Sequence, residues 1–280
     1  MSLIDLHVHS TASDGTCSPA EVVALAAKAG LSAIALTDHD TVDGVPEALA
    51  AAKNGSTEVI PGAELSAQWH EKEIHILGFF LPPDSPGLRD ALSRLQEKRE
   101  ERNDEIIRRL SRAGFSVTRE ELQAGSPRTV ITRAHFARVM AEKGYVSSMK
   151  EAFSRYLKPG GTYCPRKEHL FPETAVDLIR SSGGFAALAH PLQYRFSNQE
   201  LEDLTSFLAG LGMKGLEVYH SSSNSYESRK LKELALRHGL LPTGGSDFHG
   251  GNKPDISIGS GRGNLRISSA LLEDIRRSLT

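Results

Sequence analysis

Histidines and carboxylates that follow short apolar segments are the residues of this chain with the clearest chemical potential. His7 and His9 lie one residue apart near the end of the segment LIDLHVH. In a strand this spacing sends both imidazoles to the same face, because side chains alternate with a period of two. Similar residues occur at five further predicted strand ends: Asp38, His39 and Asp40 together, then Glu64, His75, His190, and Asp247 with His249.

Such a set of residues indicates a site with more than one metal ion. Taken singly, His75 is typical of a hydrogen-bonded strand histidine and His190 of a capping group. Six strand ends that all carry such groups are different, since polar groups buried together on one face would be unsatisfied and mutually repelling without a cation. Histidine and carboxylate ligands without cysteine suit Mn, Zn or Fe. Because some nine ligands are too many for one ion, we expect two or three divalent ions, about 3.5–4 Å apart.

The elements that must position these residues alternate between strands and helices. The first part of the chain follows a βαβα pattern, which predicts parallel strands covered by helices. Ser18, Pro19 and Glu21 mark the start of the first helix with a capping box. A hairpin with its turn at Glu71 to Glu73 is predicted next. In a barrel of parallel strands the strand ends gather on one face, which would bring the predicted ligands together.

Residues 84–167 interrupt this alternation. A long amphipathic helix is predicted from about residue 85, followed by three shorter helical segments without an intervening strand. The charged run in the middle of the long helix is typical of a solvated face. We therefore expect an α/β fold in which residues 1–83 and 168–280 form a barrel and residues 84–167 form an inserted helical cap.

The composition favours an enzyme that acts on a small substrate. The 280 residues are 39% hydrophobic and 24% charged, which fits a globular protein with a sizeable core. A formal net charge of −2 gives no basic surface for long nucleic acid or for an anionic membrane. Only two cysteines occur, and neither a signal peptide nor a membrane-spanning apolar run is evident, so we expect a cytoplasmic protein. The oligomeric state stays open.

Six motifs carry a resemblance to a known family: DLHVHSTASDG, LTDHDT, PGAELS, HILGF, LAHP and GSDFHG, in this order. They resemble the PHP (polymerase and histidinol phosphatase) superfamily. The resemblance implies a distorted (β/α)7 barrel with a trinuclear centre at the C-terminal strand ends, for which manganese is the expected metal. Carried over motif by motif, the ligands would be His7, His9, Glu64 and Asp247 for the first ion, Asp14, His39 and His249 for the second, and Glu64, His75 and His190 for the third.

Asp14 in TASDG indicates a branch of this superfamily, because many members carry histidine there. With Asp14 and the inserted cap, the chain resembles the nucleoside 3′,5′-bisphosphate phosphatases and the related 5′→3′ exoribonucleases that act on short RNA. The implied reaction is hydrolysis of the 3′-phosphate by in-line attack of a metal-bridging hydroxide. A phosphatase for another small phosphomonoester, such as histidinol phosphate, and a non-catalytic metal-binding module are the alternatives. We expect a complete enzyme rather than a fragment of a polymerase.

Further residues are candidates for proton transfer and for substrate binding. The acid that protonates the leaving oxygen is expected to be Asp247, Asp38 or Asp40. Arg133, Lys158 and Arg166 lie in or beside the predicted cap, where a cation can bind a distal phosphate. Other substrate contacts are expected from His135, which alternatively packs within the cap, and from Tyr219 and His220, whereas Glu217 is expected to support a neighbouring ligand.

Overall fold

The structure is a computed structural model that describes residues 2–123, 129–166 and 170–280. The boundary predicted between the cap and the second barrel segment, at residues 167 and 168, lies outside the described residues. Eight strands occur in the described parts: β1 Leu3–Val8, β2 Leu31–Leu36, β3 Glu58–Trp69, β4 Lys72–Phe79, β5 Phe185–Leu188, β6 Gly215–His220, β7 Leu241–Gly245 and β8 Ile267–Ser268.

These strands form one sheet that nearly closes on itself. Their order is β7-β6-β5-β4-β3-β2-β1-β8, and β3–β4, β4–β5 and β1–β8 are the antiparallel pairs. The chain after β7 returns to β1, since Asp247 N donates to His7 O at 2.9 Å and His9 N donates to Phe248 O at 3.0 Å. The predicted α/β barrel is confirmed, with the short strand β8 as an addition that the sequence pattern did not predict.

Helices flank the sheet and build the insertion. They are α1 Pro19–Lys28, α2 Val45–Ala52, α3 Pro86–Arg112, α4 Arg119–Gln123, α5 Arg133–Glu142, α6 Met149–Arg155, α7 Pro172–Ser181, α8 Asn198–Gly210, α9 Ser225–Arg237 and α10 Ala270–Leu279. The capping box of α1 is confirmed, because Ser18 Oγ accepts from Glu21 N and the Glu21 carboxylate accepts from Ser18 N. None of the helices in the described ranges has both the length and the apolar character needed to cross a membrane.

The β3–β4 hairpin is confirmed, but its turn lies earlier than predicted. Trp69 pairs with Lys72, so the turn consists of His70 and Glu71 rather than of Glu71 to Glu73. His70 has a φ of 51°, the left-handed conformation that a two-residue hairpin turn requires.

Glu64 and His75 lie within strands, not at strand ends as predicted. β3 is a single strand of 12 residues whose ladder with β2 ends at the pair Leu36 and Pro61. Beyond this pair β3 stays paired with β4, and the two strands extend as a hairpin past the other strands of the barrel. Glu64 therefore lies at the barrel mouth although its own strand goes on.

The inserted segment has an apolar cluster of its own and covers the barrel mouth. Ile106 and Leu110 of α3 belong to the same buried cluster as Phe136 of α5. Val130 N donates to Ala12 O at 3.0 Å, which fixes the segment before α5 against the loop that follows β1. The loop that carries Asp14 is thus in contact with the cap.

The charged run of α3 is only in part the solvated face that was predicted: Glu97, Lys98, Glu101 and Asp104 are exposed, but other residues of the run are not. Arg99, Arg102 and Asn103 are buried. The apolar positions Leu88, Leu92 and Ile106 lie on the same stripe of the helix, so these polar residues continue the buried face instead of opposing it.

Candidate metal centre

His7 and His9 lie at the centre of a buried polar cluster at the barrel mouth. Their Nε2 atoms are 3.1 Å apart, and both side chains are fully buried. Gly245 of β7 allows this arrangement, because a Cβ at that position would lie 2.2 Å from Cβ of His7. A glycine is therefore needed for β7 to pass this close to β1.

Glu64 lies between the rings of five histidines. Its Oε1 is 2.9 Å from His75 Nδ1 and 2.8 Å from His190 Nε2. Its Oε2 faces the other rings, at 3.3 Å from His7 Nε2, 3.3 Å from His9 Nε2 and 3.1 Å from His39 Nδ1. Both carboxylate oxygens thus point at groups of nitrogen atoms, which is the geometry expected of a bridging ligand.

Asp14 and Asp247 complete the cluster on two sides. Asp14 Oδ1 lies 3.2 Å from His249 Nε2 and 3.8 Å from His39 Nε2. Asp247 Oδ1 lies 3.7 Å from His7 Nε2 and 3.5 Å from His9 Nε2. The nine residues predicted as metal ligands are therefore brought together in one cluster.

Two of these residues, and Asp40 next to His39, adopt a backbone conformation that is unusual for residues other than glycine. The φ angles of Asp40, His190 and Asp247 are 52°, 25° and 59°. Left-handed conformations of this kind cost free energy and occur preferentially at functional sites. His190 is held there by its own N–H, which donates to Glu217 Oε2 at 2.6 Å.

The charges of the cluster fit divalent cations. Burial would raise the pKa of Glu64, but the surrounding histidines, His75 first, outweigh it and hold that pKa well below its usual value. Burial would also raise the pKa of Asp14, yet His39 and His249 hold it well below its usual value. Negative charge is therefore concentrated among ring nitrogens that can also act as ligands.

Unsatisfied atoms support the same conclusion. Within the described residues, four buried atoms of the cluster have no hydrogen-bond partner: His9 Nδ1, Asp14 Oδ1, Glu64 Oε2 and His190 Nδ1. Buried polar atoms are almost always paired, so orphaned donors and acceptors gathered in one place indicate a missing ligand. Groups of three or four of these side chains have donor atoms within 4.8 Å of one another, as a metal ion requires.

Glu217 and His220 support the cluster from behind. Glu217 Oε1 lies 2.9 Å from His7 Nδ1 and fixes the orientation of that ring, as the sequence predicted. His220 Nε2 lies 3.4 Å from Asp247 Oδ2, and its Nδ1 is 2.7 Å from Ser222 Oγ. His220 therefore contacts a candidate ligand, which differs from the substrate contact that was predicted.

A cavity of about 360 Å³ lies between this cluster and the cap. One wall carries candidate ligands, among them Asp14, His39, His75 and His249. The lining also includes Lys253, Gln193 and residues of the cap: Arg99, Arg102, Thr132, Arg133, Met149 and Phe153. The cavity is large enough for a small phosphorylated ligand.

Comparison with known proteins decides the family. The model of the PHP domain matches residues 5–210. The chain belongs to the PHP family. It is a metal-dependent phosphoesterase, that is, a hydrolase that acts on phosphate esters.

Relatives of this PHP protein span nearly its whole length. The 3′,5′-nucleoside bisphosphate phosphatase of Chromobacterium violaceum is 34% identical over 261 residues, which cover 92% of this chain and 91% of that protein. The 5′-3′ exoribonuclease of Haemophilus influenzae is 36% identical over 245 residues, which cover 88% of this chain and 89% of that protein. A crystal structure described as a metal-dependent phosphoesterase from Bifidobacterium adolescentis has a TM-score of 0.85 at 28% identity. The match covers 98% of this chain and 95% of that protein's chain.

The three aspartates predicted as proton donors have other roles in this PHP structure. Asp38 accepts hydrogen bonds from Ser10 N at 2.8 Å and from the hydroxyls of Ser10 and Ser13, and so fixes the loop that carries Asp14. Asp40 accepts from Ser66 N at 2.8 Å and contacts the Arg99 guanidinium. Their carboxylates are engaged in holding loops, and neither lines the cavity, so the structure does not support the prediction that either is the general acid.

Asp247 is also unsuited to proton donation. Burial would raise its pKa, but Lys253 and His249 outweigh burial and hold the pKa well below its usual value. The carboxylate is therefore ionised at neutral pH, which suits a metal ligand.

Among the cap residues predicted to bind substrate, Arg133 lines the cavity and three others do not. Lys158 is exposed and is not among the residues that line the cavity. Arg166 is largely exposed and pairs with Glu71 at 2.9 Å. His135 is buried as the third residue of α5, where its Nδ1 accepts from Thr132 N at 2.9 Å, so the packing alternative describes it better.

Tyr219 also lies away from the cavity, although it was predicted to face it. It lines a separate surface depression with residues of α9. The ladder between β6 and β7 has a register shift between Glu217 and Tyr219, so the two side chains no longer share one direction as simple alternation predicts.

Three functional candidates were missed by sequence reasoning: Arg99, Arg102 and Lys253. A signal for the arginines existed, because their spacing from Leu92 and Ile106 continues the apolar stripe of α3. Lys253 lies on the irregular segment after β7, where no periodic pattern indicates the direction of a side chain.

Proposed function

We propose that this enzyme removes the 3′-phosphate of nucleoside 3′,5′-bisphosphates, such as adenosine 3′,5′-bisphosphate, and also trims short 5′-phosphorylated RNA. The observation that carries the proposal is the cavity between candidate metal ligands on one side and arginines of the cap on the other. A substrate with two phosphates needs the scissile group at the ligands and a separate cationic site for the second group. The names of the two relatives above support the same class of substrate.

The proposal includes three metal positions, with manganese as the metal. The ligand sets are those implied by the resemblance: His7, His9, Glu64 and Asp247, then Asp14, His39 and His249, then Glu64, His75 and His190. Ions held there would supply Lewis acidity at the phosphoryl oxygens and lower the pKa of a water nucleophile toward about 7. The distances from Glu64 to His7, His9, His39, His75 and His190 support its role as the shared ligand.

Residues of the chain itself orient the ligands and the substrate. Glu217 fixes the ring of His7, and Asp38 fixes the loop of Asp14. Lys253 Nζ donates to Asp247 Oδ2 at 2.6 Å and lines the cavity, where an ammonium group can neutralise charge that develops on the phosphoryl group. Arg133 also lines the cavity, with its guanidinium 3.8 Å from Glu73 Oε2.

A substrate panel tests this function against its alternatives. Phosphate release is measured with metal-depleted and manganese-loaded enzyme on adenosine 3′,5′-bisphosphate, 3′-AMP, 5′-AMP and histidinol phosphate, and release of mononucleotides is measured on a short 5′-phosphorylated RNA. The proposal predicts the highest kcat/KM for the bisphosphate and no activity without metal. A preference for histidinol phosphate would support the alternative phosphatase, and an absence of release from every compound would support a non-catalytic metal-binding module.

A further inference from the structure

The long cap helix α3 presents two buried arginines to the cavity. Arg99 and Arg102 are three residues apart and so lie on the same face of the helix. Both line the cavity, together with Arg133 of α5. Their exposed fractions are 6% and 9%, and arginine is almost never this buried unless it is paired.

Contacts within the protein use only part of these two guanidinium groups. One terminal nitrogen of Arg99 contacts Asp40, whereas its Nε is buried without a hydrogen-bond partner in the described part of the chain. Arg102 donates from Nε to Pro165 O at 3.0 Å and from a terminal nitrogen to Cys164 Sγ at 3.1 Å. Neither acceptor is a carboxylate, so these two contacts do not neutralise the charge of Arg102.

The electrostatics of this wall indicate an anionic ligand. Burial, followed by repulsion from Arg102, lowers the pKa of Arg99 to about 10, so the group is still charged at neutral pH. Asp40 contacts Arg99 and Glu73 lies 3.8 Å from Arg133, whereas the acceptors of Arg102 carry no charge. An anion in the cavity would therefore lower the repulsion between Arg99 and Arg102. Four candidate metal ligands, Asp14, His39, His75 and His249, line the same cavity, so one ligand with two phosphates can meet both sets of residues.

We propose that Arg99 and Arg102 bind the non-scissile 5′-phosphate and thereby select substrates that carry two phosphates. The inference rests on the proposed function, and it adds the residues that read the second phosphate. Guanidinium groups match phosphate oxygens with two parallel hydrogen bonds, and burial strengthens such charge-assisted bonds. Because Arg99 also contacts Asp40, the residue after His39, phosphate binding at the cap is linked to the loop of a candidate metal ligand.

Two substrates that lose the same 3′-phosphate test this assignment. Adenosine 3′,5′-bisphosphate has the 5′-phosphate and 3′-AMP lacks it. We expect Arg99→Gln and Arg102→Gln each to lower kcat/KM for the bisphosphate about 10–100-fold, the range for losing hydrogen bonds to a charged group. For 3′-AMP we expect the change to stay within about threefold, because no lost contact involves that substrate.

Arg108→Gln is the matched control, since Arg108 lies on the same helix with its side chain 64% exposed and paired to Glu105. Both substrates should be hydrolysed by this variant as by the unaltered enzyme. Arg99→Lys keeps the charge. If Arg99→Gln disturbs the fold, Arg99→Lys should still retain part of the preference for the bisphosphate over 3′-AMP. A proportional loss for both substrates in Arg99→Gln and Arg102→Gln would overturn the inference and assign the arginines to cap or loop stability.

Binding of 5′-AMP and adenosine, measured by calorimetry with manganese-loaded enzyme, separates the two proposals. We expect Arg99→Gln to weaken binding of 5′-AMP while binding of adenosine is unchanged. If the unaltered enzyme hydrolyses neither substrate, the proposed function fails, and this binding difference still decides the phosphate site. Equal binding of 5′-AMP by Arg99→Gln and the unaltered enzyme would overturn the inference even when hydrolysis is normal.

Discussion

Lys253 donates a hydrogen bond of 2.6 Å from Nζ to Oδ2 of Asp247, while Oδ1 of the same carboxylate faces His7 and His9. Lys253 thus connects the cavity to a candidate ligand of the first metal position. Its ammonium group keeps Asp247 ionised, and its half-exposed position leaves it accessible to a substrate. This contact supports the two roles proposed for Lys253, in holding the ligand and in stabilising charge on the phosphoryl group.

Lys253→Met is therefore expected to lower kcat for 3′-phosphate release about tenfold or more, since donors aimed at developing charge typically contribute that much. Lys253→Arg keeps a cation near Asp247 and should retain more activity. Steady-state kinetics, together with the metal content of each purified variant, checks the prediction. Activity of Lys253→Met within about twofold of the unaltered enzyme would contradict both roles.

Glu64→Gln should remove metal as well as activity. The carboxylate contacts five histidines, and a neutral amide cannot provide the charge that a shared ligand supplies. We expect at least one metal ion fewer per chain by elemental analysis and a loss of phosphate release of about 10³-fold. Glu233→Gln is the control, because Glu233 is exposed on α9, is not a candidate ligand and lies outside the cavity lining. A full complement of metal in Glu64→Gln would refute the bridging role.

Metal binding should release protons at neutral pH. Burial alone would lower the pKa of His75, but Glu64 and Glu73 outweigh it and raise that pKa to about 9. Burial would also lower the pKa of His7, but Glu217 and Glu64 raise it well above its usual value. The metal-free protein is therefore expected to carry protons on these rings at neutral pH, and a metal ligand must lose them.

Calorimetric titration of metal-depleted protein with Mn²⁺, repeated in buffers of different ionisation enthalpy, measures this release. We expect at least one proton released per chain at pH 7, and an apparent metal affinity that falls as the pH is lowered. The metal affinity falls at lower pH because protons and metal ions compete for the same nitrogen atoms. An enthalpy that does not depend on the buffer would show that these rings are already neutral or are not ligands.

Gly245→Ala should disrupt the site through packing alone. The added Cβ would meet His7 Cβ at 2.2 Å, and backbone atoms of His7 lie nearly as close, so β7 would have to move away from β1. We expect destabilisation of about 1–3 kcal/mol in chemical denaturation, with weaker metal binding. Gly87→Ala on α3 is the control, since nothing lies within 4 Å of its added Cβ. Equal stability of the two variants would show that the barrel tolerates a wider β1–β7 spacing.

The clustering of the candidate ligands could be predicted from the sequence because these residues lie in short motifs next to strands. His7 and His9 share a face by strand alternation, and Asp247 with His249 follows β7 at the same barrel mouth. Glu64 shows the limit of that reasoning: its strand continues for five residues beyond it, yet its parallel ladder with β2 ends at Pro61 and an isolated bridge to His39 is the parallel pairing described at Glu64. Pairing partners, rather than the strand's own length, decide where the mouth lies.

Substrate residues were harder to predict, for two physical reasons. A register shift in β6 separates the directions of Glu217 and Tyr219, and bulges of this kind leave little trace in a hydrophobic pattern. The direction of Arg99 depends on what packs against α3, and a charged residue there resembles a solvated one until the cap is assembled over the barrel. Lys158 and Arg166 lie in the inserted segment, but neither is among the residues that line the cavity.

Product analysis with manganese-loaded enzyme tests the central claim most directly. Adenosine 3′,5′-bisphosphate is incubated with the unaltered protein and with Asp247→Ala, and nucleotide and phosphate are quantified by chromatography. The account predicts 5′-AMP and phosphate in equal amounts from the unaltered protein and no detectable product from the variant. Formation of 3′-AMP instead of 5′-AMP, or equal rates for the two proteins, would contradict it.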